Sequence, residues 1–274
     1  MQHEVFSDEE IDTLLNDLLE SFGYDFTNYS RASVKRRLSR LYLMDKFKNF
    51  DEFRERIVRN DKYITRFVQE LTVNVTEMFR DPVFYKLLNE QVLPVLATHP
   101  FIRIWHAGCS TGEEVYSMAI LLKEANLLHK SLLYATDINP DVLEKVVKGI
   151  YPLGSMKQYS ENYIQAGGKE EFSTYYTAKF DLAKFDDSLK HKMIVSAHNL
   201  VSDWSFNQFQ LIICRNVLIY FNRTLQDKVF HLFDSSLERH GFIALGSKEQ
   251  IKFSATGKKY QQIDPKEKIW KKMI

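Results

Sequence analysis

Residues 104–120 read IWHAGCSTGEEVYSMAI. An apolar run enters a loop bounded by Gly108 and Gly112, and the loop opens into an apolar-periodic segment that continues from Val115 to Leu122. Strand, glycine loop and helix in that order form the first turn of a doubly wound α/β sheet. There backbone N–H groups and the helix N-terminus face a nucleotide. The loop departs from the dinucleotide fingerprint in two ways. A third glycine is missing, and Glu113 and Glu114 occupy the first helical turn, where a pyrophosphate would meet two negative charges. An adenosine ligand without phosphate and with positive charge at its other end removes the conflict, and S-adenosylmethionine has that chemistry. Stabilisation of the helix macrodipole, about 0.3–1 kcal/mol per acid, accounts for Glu113; it accounts less well for Glu114.

Outward from the loop, strand and helix alternate. FIRIWHA (101–107) precedes it, and SLLYATDI (131–138) is a second strand closed by Asn139 and Pro140, a helix start. KMIVSAHNL (192–200), FQLIICRN (209–216) and FIALGS (242–247) are three further apolar segments, the last two separated by a helical stretch from Thr224 to Leu237. The alternation predicts an α/β doubly wound sheet. It breaks between Tyr151 and Lys192, where STYYTAKFDLAKF (173–185) predicts a small antiparallel piece beside an inserted helix.

The first seventy residues have a helical period instead. Ser7 and Glu10 form a capping box before Ile11, Leu14, Leu15, Leu18, Leu19 and Phe22, and Gly23 stops the helix. A second helix is expected from Ser30 to Met44 with Val34, Leu38 and Leu41 as its apolar stripe, followed by short helices at 53–57 and 64–71. Asp81 and Pro82 read as N-cap and first position of another helix, which Pro94 kinks near its end. The domain reading is therefore a helical domain over 1–72, a linker motif and helix over 73–100, and an α/β domain over 101–274 with an insertion at about 152–192.

Charge separates the two parts. From Ser30 to Arg66 there are twelve Lys or Arg against five Asp or Glu, whereas the whole chain is only +1. A basic module on an otherwise acidic chain is suited to an acidic partner, and equally to a well-solvated helix surface. A basic surface beside the α/β cleft, which nucleic-acid methylation would require, is not expected. The two cysteines, Cys109 and Cys214, are too few for a disulfide framework and lack metal-ligand spacing. No apolar run approaches the roughly 18 residues of a membrane span, and the acidic start lacks a signal-peptide core, so a cytoplasmic location is expected.

Ligands of open α/β sheets bind outside the carboxyl ends of the strands. Polar residues stand at four such ends: the glycine loop with Glu114, then Asp137, then Asn199 with Leu200, then Arg215 with Asn216. An acid in the position of Asp137 can hold a ribose diol through charge-assisted hydrogen bonds.

The set HAGCSTGEEVYSMA, ATDI, VNVTEMFRD, HNL and ICRNVLIYF resembles the CheR-type chemotaxis methyltransferases over nearly the whole chain. The resemblance implies a Rossmann-like S-adenosylmethionine-dependent methyltransferase domain with an inserted antiparallel β subdomain, preceded by a small all-α domain. It also implies methyl transfer from S-adenosylmethionine to glutamate side chains of methyl-accepting chemoreceptor helices, giving methyl esters and S-adenosylhomocysteine, without a metal. Position by position, Asn74, Thr76, Arg80 and Glu114 would meet the methionine end of the cofactor and Asp137 the ribose. Asn199 and Leu200 would bracket the adenine, with Arg215 and Asn216 lining the cleft near it. Arg80 and Tyr220 would face the acceptor carboxylate.

Arg31, Lys35, Arg36, Arg37 and Arg40 would steer acidic receptor helices. The enzyme would act as a monomer beside membrane-bound receptors without entering the bilayer. Met78, Phe79 and Val115 depart from the family's usual aromatic and proline residues at expected packing positions. A non-catalytic sensor of S-adenosylmethionine or S-adenosylhomocysteine is the competing reading, and Arg80 and Tyr220 are the residues that separate the two.

Overall fold

The computed structural model describes residues 5–72, 76–264 and 266–274. The chain forms two compact units, one of Met1–Asn74 with Leu218–Lys228, the other of Val75–Val217 with Val229–Ile274.

The first unit is helical. Helix α1 (Asp8–Phe22) opens with the expected capping box: the Glu10 N–H donates to Ser7 Oγ at 3.1 Å and the Ser7 N–H to Glu10 Oε2 at 2.7 Å. Gly23, left-handed at φ 73°, ends it. Helices α2 (Arg31–Met44), α3 (Phe50–Arg59) and α4 (Asp61–Thr72) follow, close to the expected spans. Their apolar stripes converge with Phe6, Phe26, Phe53 and Phe67 on one core. A later segment joins this unit. The Ser30 N–H donates to the Tyr220 carbonyl at 2.7 Å, the Asn222 N–H to the Asn28 carbonyl at 2.9 Å, and Tyr29 and Phe221 form an antiparallel bridge.

The second unit is built on a seven-stranded sheet. Strands β1 (Ile102–Ala107), β2 (Ser131–Asp137), β6 (Met193–Ala197), β7 (Phe209–Cys214) and β8 (Leu237–Leu245) are parallel. With β9 (Tyr260–Gln262) and β10 (Ile269–Lys272) the order is β6-β2-β1-β7-β8-β10-β9, β10 antiparallel to both neighbours. The five parallel strands are those expected; the C-terminal antiparallel pair is an addition. Central strands buried on both faces read as continuous apolar runs, and β7 is buried at every position. Because β2 lies on one side of β1 and β7 on the other, the order reverses at the carboxyl ends of β1 and β7. A ligand crevice is expected there.

Before the sheet, α5 (Pro82–Leu87) runs through a π turn at Leu88–Val92 into α6 (Leu93–Leu96). Pro94, with no N–H to give, follows the slip in register: the Leu93 N–H reaches back to the Leu88 carbonyl. Asp81 is the N-cap residue of α5, with Pro82 following it as expected, and its carbonyl accepts the Phe84 N–H at 2.9 Å. It is left-handed at φ 60° and its side chain makes no cap bond; the carboxylate pairs with Arg215 instead.

Helices α7 (Glu113–Glu124) and α8 (Pro140–Lys148) flank β2, and α11 (Arg223–Ser236) precedes β8. The insertion comprises β3 (Ile150–Pro152), α9 (Met156–Gln165), β4 (Tyr176–Lys179), β5 (Leu182–Phe185) and α10 (Asp187–Lys190), its strands in the antiparallel order β3-β5-β4. It is tied to α7 by Glu124, whose carboxylate accepts the hydroxyls of Tyr163 and, at 2.8 Å, Tyr175. Among the described residues no helix is long and apolar enough to cross a membrane.

Candidate active site

The glycine loop is fixed by its own backbone bonds. The N–H groups of Gly108 and Cys109 both donate to the Thr136 carbonyl, at 2.8 and 2.9 Å, which pins the loop to the end of β2. Gly108 has φ 78°, and a Cβ there would stand 2.5 Å from Val217, the residue that follows β7's polar end. Gly112 has φ 94°, and a Cβ would meet Val146 at 2.9 Å. Both positions need a left-handed backbone and no side chain.

Asp137 sits where β2 meets this loop, 8% exposed. Its Oδ2 accepts the Ser110 N–H at 2.9 Å and its Oδ1 the Asn139 N–H at 3.0 Å. Burial pushes its carboxyl above the ordinary value, opposed by those backbone bonds. The hydroxyl of Ser110 is buried and has no partner. The His198 N–H donates to the Asp137 carbonyl at 3.1 Å, which brings the start of the Asn199–Leu200 pair beside the acid. Asn199 closes a turn, accepting the Val201 N–H at its side chain, and Leu200 is buried.

The two glutamates of α7 have separate environments. Glu113 is buried and accepts the Thr111 hydroxyl at 2.6 Å, with the Tyr159 hydroxyl at 3.5 Å; burial raises its carboxyl. It therefore ties the loop to the inserted subdomain and is more than a helix-terminus acid. Glu114 lies 2.9 Å from His106 Nδ1 and 3.6 Å from Arg215 Nη1. Burial works against its charge, but the His106 hydrogen bond and the Arg215 guanidinium outweigh it and hold the carboxyl below its ordinary value.

Arg215 joins Glu114 to the linker motif. Its side chain is 4% exposed, packs 4.1 Å over the Phe84 ring, pairs with Asp81, and donates to the Arg80 carbonyl at 3.3 Å. The structure thus groups Arg215 with Glu114 and Arg80. Asn216, left-handed at φ 62°, is held through its N–H by Glu249, which also accepts the Gly246 N–H.

The motif around Arg80 is clamped from two directions. The Met78 carbonyl accepts from Asn162 of α9 at 3.0 Å, and the Phe79 N–H donates to Ser117 Oγ of α7 at 2.8 Å. Phe79 is left-handed at φ 52°, an uncommon state for a bulky residue, and its ring is buried against Tyr85 and Tyr163. Phe79, Asp81, Ser110 and Asn216, all non-glycine and all left-handed, surround this one site. Strain of this kind persists where the surroundings over-determine it. Met78 and Val115 are fully buried, as expected of packing positions. Thr76 is half-buried; Asn74 lies outside the described residues.

Tyr220 belongs to the helical unit, where the Arg37 guanidinium lies 4.5 Å above its ring. That contact corrects the role expected of Arg37. It is 6% exposed and donates to the Glu70 and Leu71 carbonyls at the end of α4, so it is a buried structural cation and no docking residue. Of the other residues expected to dock, Arg36 and Arg40 are exposed, Arg40 3.8 Å from Glu70, and Lys35 is half-buried. Arg31 is neutralised by Asp12 and Asp8. His106, Ser117 and Asn162 were not singled out by the sequence, and Asp81 only as a helix cap.

The donor set fits an adenosine ligand with a cationic end. Asp137 offers a carboxylate to a diol, Ser110 an unused hydroxyl, and Glu114 a partly exposed carboxylate. Among the described residues no group of His, Cys, Asp and Glu could hold a metal ion.

Two family models match the chain: the CheR methyltransferase all-alpha domain over residues 9–72 and the CheR methyltransferase SAM binding domain over residues 74–268. A Pseudomonas putida protein named "Putative methyltransferase Cher3" is 44% identical over 274 residues, covering 99% of this chain and 100% of its own. A chemotaxis protein methyltransferase of Listeria monocytogenes is 32% identical over 84% of this chain and 85% of its own. That of Borreliella burgdorferi is 29% identical over 89% of each.

Proposed function

The chain belongs to the CheR methyltransferase family of S-adenosylmethionine-dependent enzymes, and from that premise we propose that it esterifies glutamate side chains of methyl-accepting chemoreceptors. The observation that supports this reading best is the chain of contacts from Glu114 through Arg215 to the Arg80 carbonyl, which couples the cofactor's cationic end to the residue assigned to the acceptor.

When bound, S-adenosylmethionine supplies a methyl group on a sulfonium. Asp137 would hold the ribose, Asn199 and Leu200 the adenine, and Glu114, with Asn74 and Thr76, the methionine end. A glutamate side chain is already ionised near neutral pH, so no general base is required. The protein's task is orientation, which alone can lower a barrier by about 7–11 kcal/mol. Arg80 and Tyr220 would orient the acceptor carboxylate. They must not bind it so tightly that the ground state gains as much as the transition state. Arg36 and Arg40, with Lys35, would attract the acidic receptor helix.

Incubation of the protein with methyl-labelled S-adenosylmethionine and receptor-rich membranes tests the reading. Base-labile label on a receptor band is expected. No label, with binding of S-adenosylhomocysteine intact, would leave a cofactor-binding module in place of an enzyme.

A further inference from the structure

His106 is a polar residue one position from the carboxyl end of strand β1, and it is fully buried. A buried imidazole is tolerated only when hydrogen-bonded. Among the described residues its side chain has one partner, the Glu114 carboxylate, at 2.9 Å from Nδ1, while Nε2 is buried and has none. An ionised carboxylate only accepts, so the proton sits on Nδ1. Glu114 has two neighbours on its carboxylate, and they act differently. Arg215, at 3.6 Å, is an ion-pair neighbour beyond good hydrogen-bond length, and it also serves Asp81 and the Arg80 carbonyl. The bond that fixes the Glu114 rotamer is therefore the one from His106.

We infer that His106 is a positioning residue for the cofactor's methionine end, acting through Glu114. It holds one carboxylate oxygen toward the core and leaves the other to face Arg215. Without it the carboxylate is free to swing onto Arg215, in competition with Asp81. The inference rests on the reading of Glu114 as the group that holds the cationic end.

Three variants test it by calorimetric titration with S-adenosylhomocysteine: His106→Leu, His106→Asn and Glu114→Gln. Leucine fills the volume without a donor, whereas asparagine places an amide N–H near the position of Nδ1. His106→Leu is expected to weaken binding about tenfold, as loss of a charge-assisted bond would, and His106→Asn to restore most of the affinity. Equal affinities for the Leu and Asn variants, with Glu114→Gln weakened, would overturn the role of His106 alone. An unweakened Glu114→Gln would overturn the assignment of Glu114 and the inference with it. In the unmodified protein, nitrogen-15 spectra should show His106 protonated at Nδ1, with a resonance that moves when the ligand binds. A resonance that stays fixed would also overturn the inference, so the test does not depend on either variant folding.

Discussion

Ser117→Ala removes a single oxygen atom from the buried face of α7. That oxygen accepts the Phe79 N–H at 2.8 Å and donates to the Glu113 carbonyl at 2.7 Å. Alanine leaves a helix-compatible side chain and almost no cavity, so the loss is confined to the stranded Phe79 N–H. An unsatisfied buried donor costs about 1–3 kcal/mol. For a chain of this size a 2 kcal/mol loss lowers Tm by roughly 4–8 °C. The left-handed backbone of Phe79 is itself unfavourable by about 1–2 kcal/mol. With its anchor gone, the residue can relax to an ordinary conformation, and Arg80, next in the chain, turns with it. A shift of that size in favour of a misplaced Arg80 lowers turnover about tenfold, since each 1.4 kcal/mol is a factor of ten. Ser117 makes no hydrogen bond to Asp137 or Glu114, so the affinity for S-adenosylhomocysteine should hold. Thermal melting, calorimetry and methyl-transfer kinetics on the same preparation separate these effects. Turnover within twofold of wild type, with Tm lowered, would refute the idea that the Phe79 anchor places Arg80. Equal losses in affinity and turnover would point to damage in α7 instead.

Asp137→Asn should weaken binding of S-adenosylhomocysteine while leaving turnover at saturating cofactor largely intact, because ribose contacts are the same in ground and transition states. Burial raises the Asp137 carboxyl above its ordinary 3.8, whereas Glu114 is held low. As pH falls, affinity should therefore drop first through protonation of Asp137, at a higher pH than an exposed aspartate would give, and Asp137→Asn should abolish that limb. Titrations at a series of pH values read it. Reversing Arg36 and Arg40 to Glu should slow methylation of intact receptors and flatten its dependence on salt, without altering cofactor affinity. Arg37→Lys should lower Tm, since an ammonium cannot both stack on Tyr220 and cap two carbonyls. An unchanged melting curve would refute its structural role.

The parallel sheet was legible because strands buried on both faces leave unbroken apolar runs between glycine, proline and acidic punctuation. The C-terminal strands β9 and β10 were not: they are three and four residues long, and lysines flank and interrupt them. The site was legible wherever chemistry sits at a strand end, as for Asp137 and Glu114. It was not legible where the partner is distant in sequence. Ser117 looks like any small helical residue until Phe79, 38 positions away, is placed beside it. His106 was hidden because a strand buried on both faces shows no alternation against which a polar residue stands out. Arg37 could have been found. With Val34, Leu38 and Leu41 as the apolar stripe, position 37 falls on the same face, so a buried arginine was implicit in the helical spacing.

The pairing of Asn28, Tyr29 and Ser30 with Tyr220, Phe221 and Asn222 means that the order of residues along the chain is not the order in which the protein can be taken apart. A fragment beginning after residue 75 would retain every strand, the glycine loop, Asp137 and the Glu114–Arg215 contacts. It would lose the backbone partners and the guanidinium that hold Tyr220. Such a fragment is expected to separate cofactor capture from methyl transfer. By the same reasoning, a helical domain exchanged between relatives would carry the support of Tyr220 with it, along with its charge.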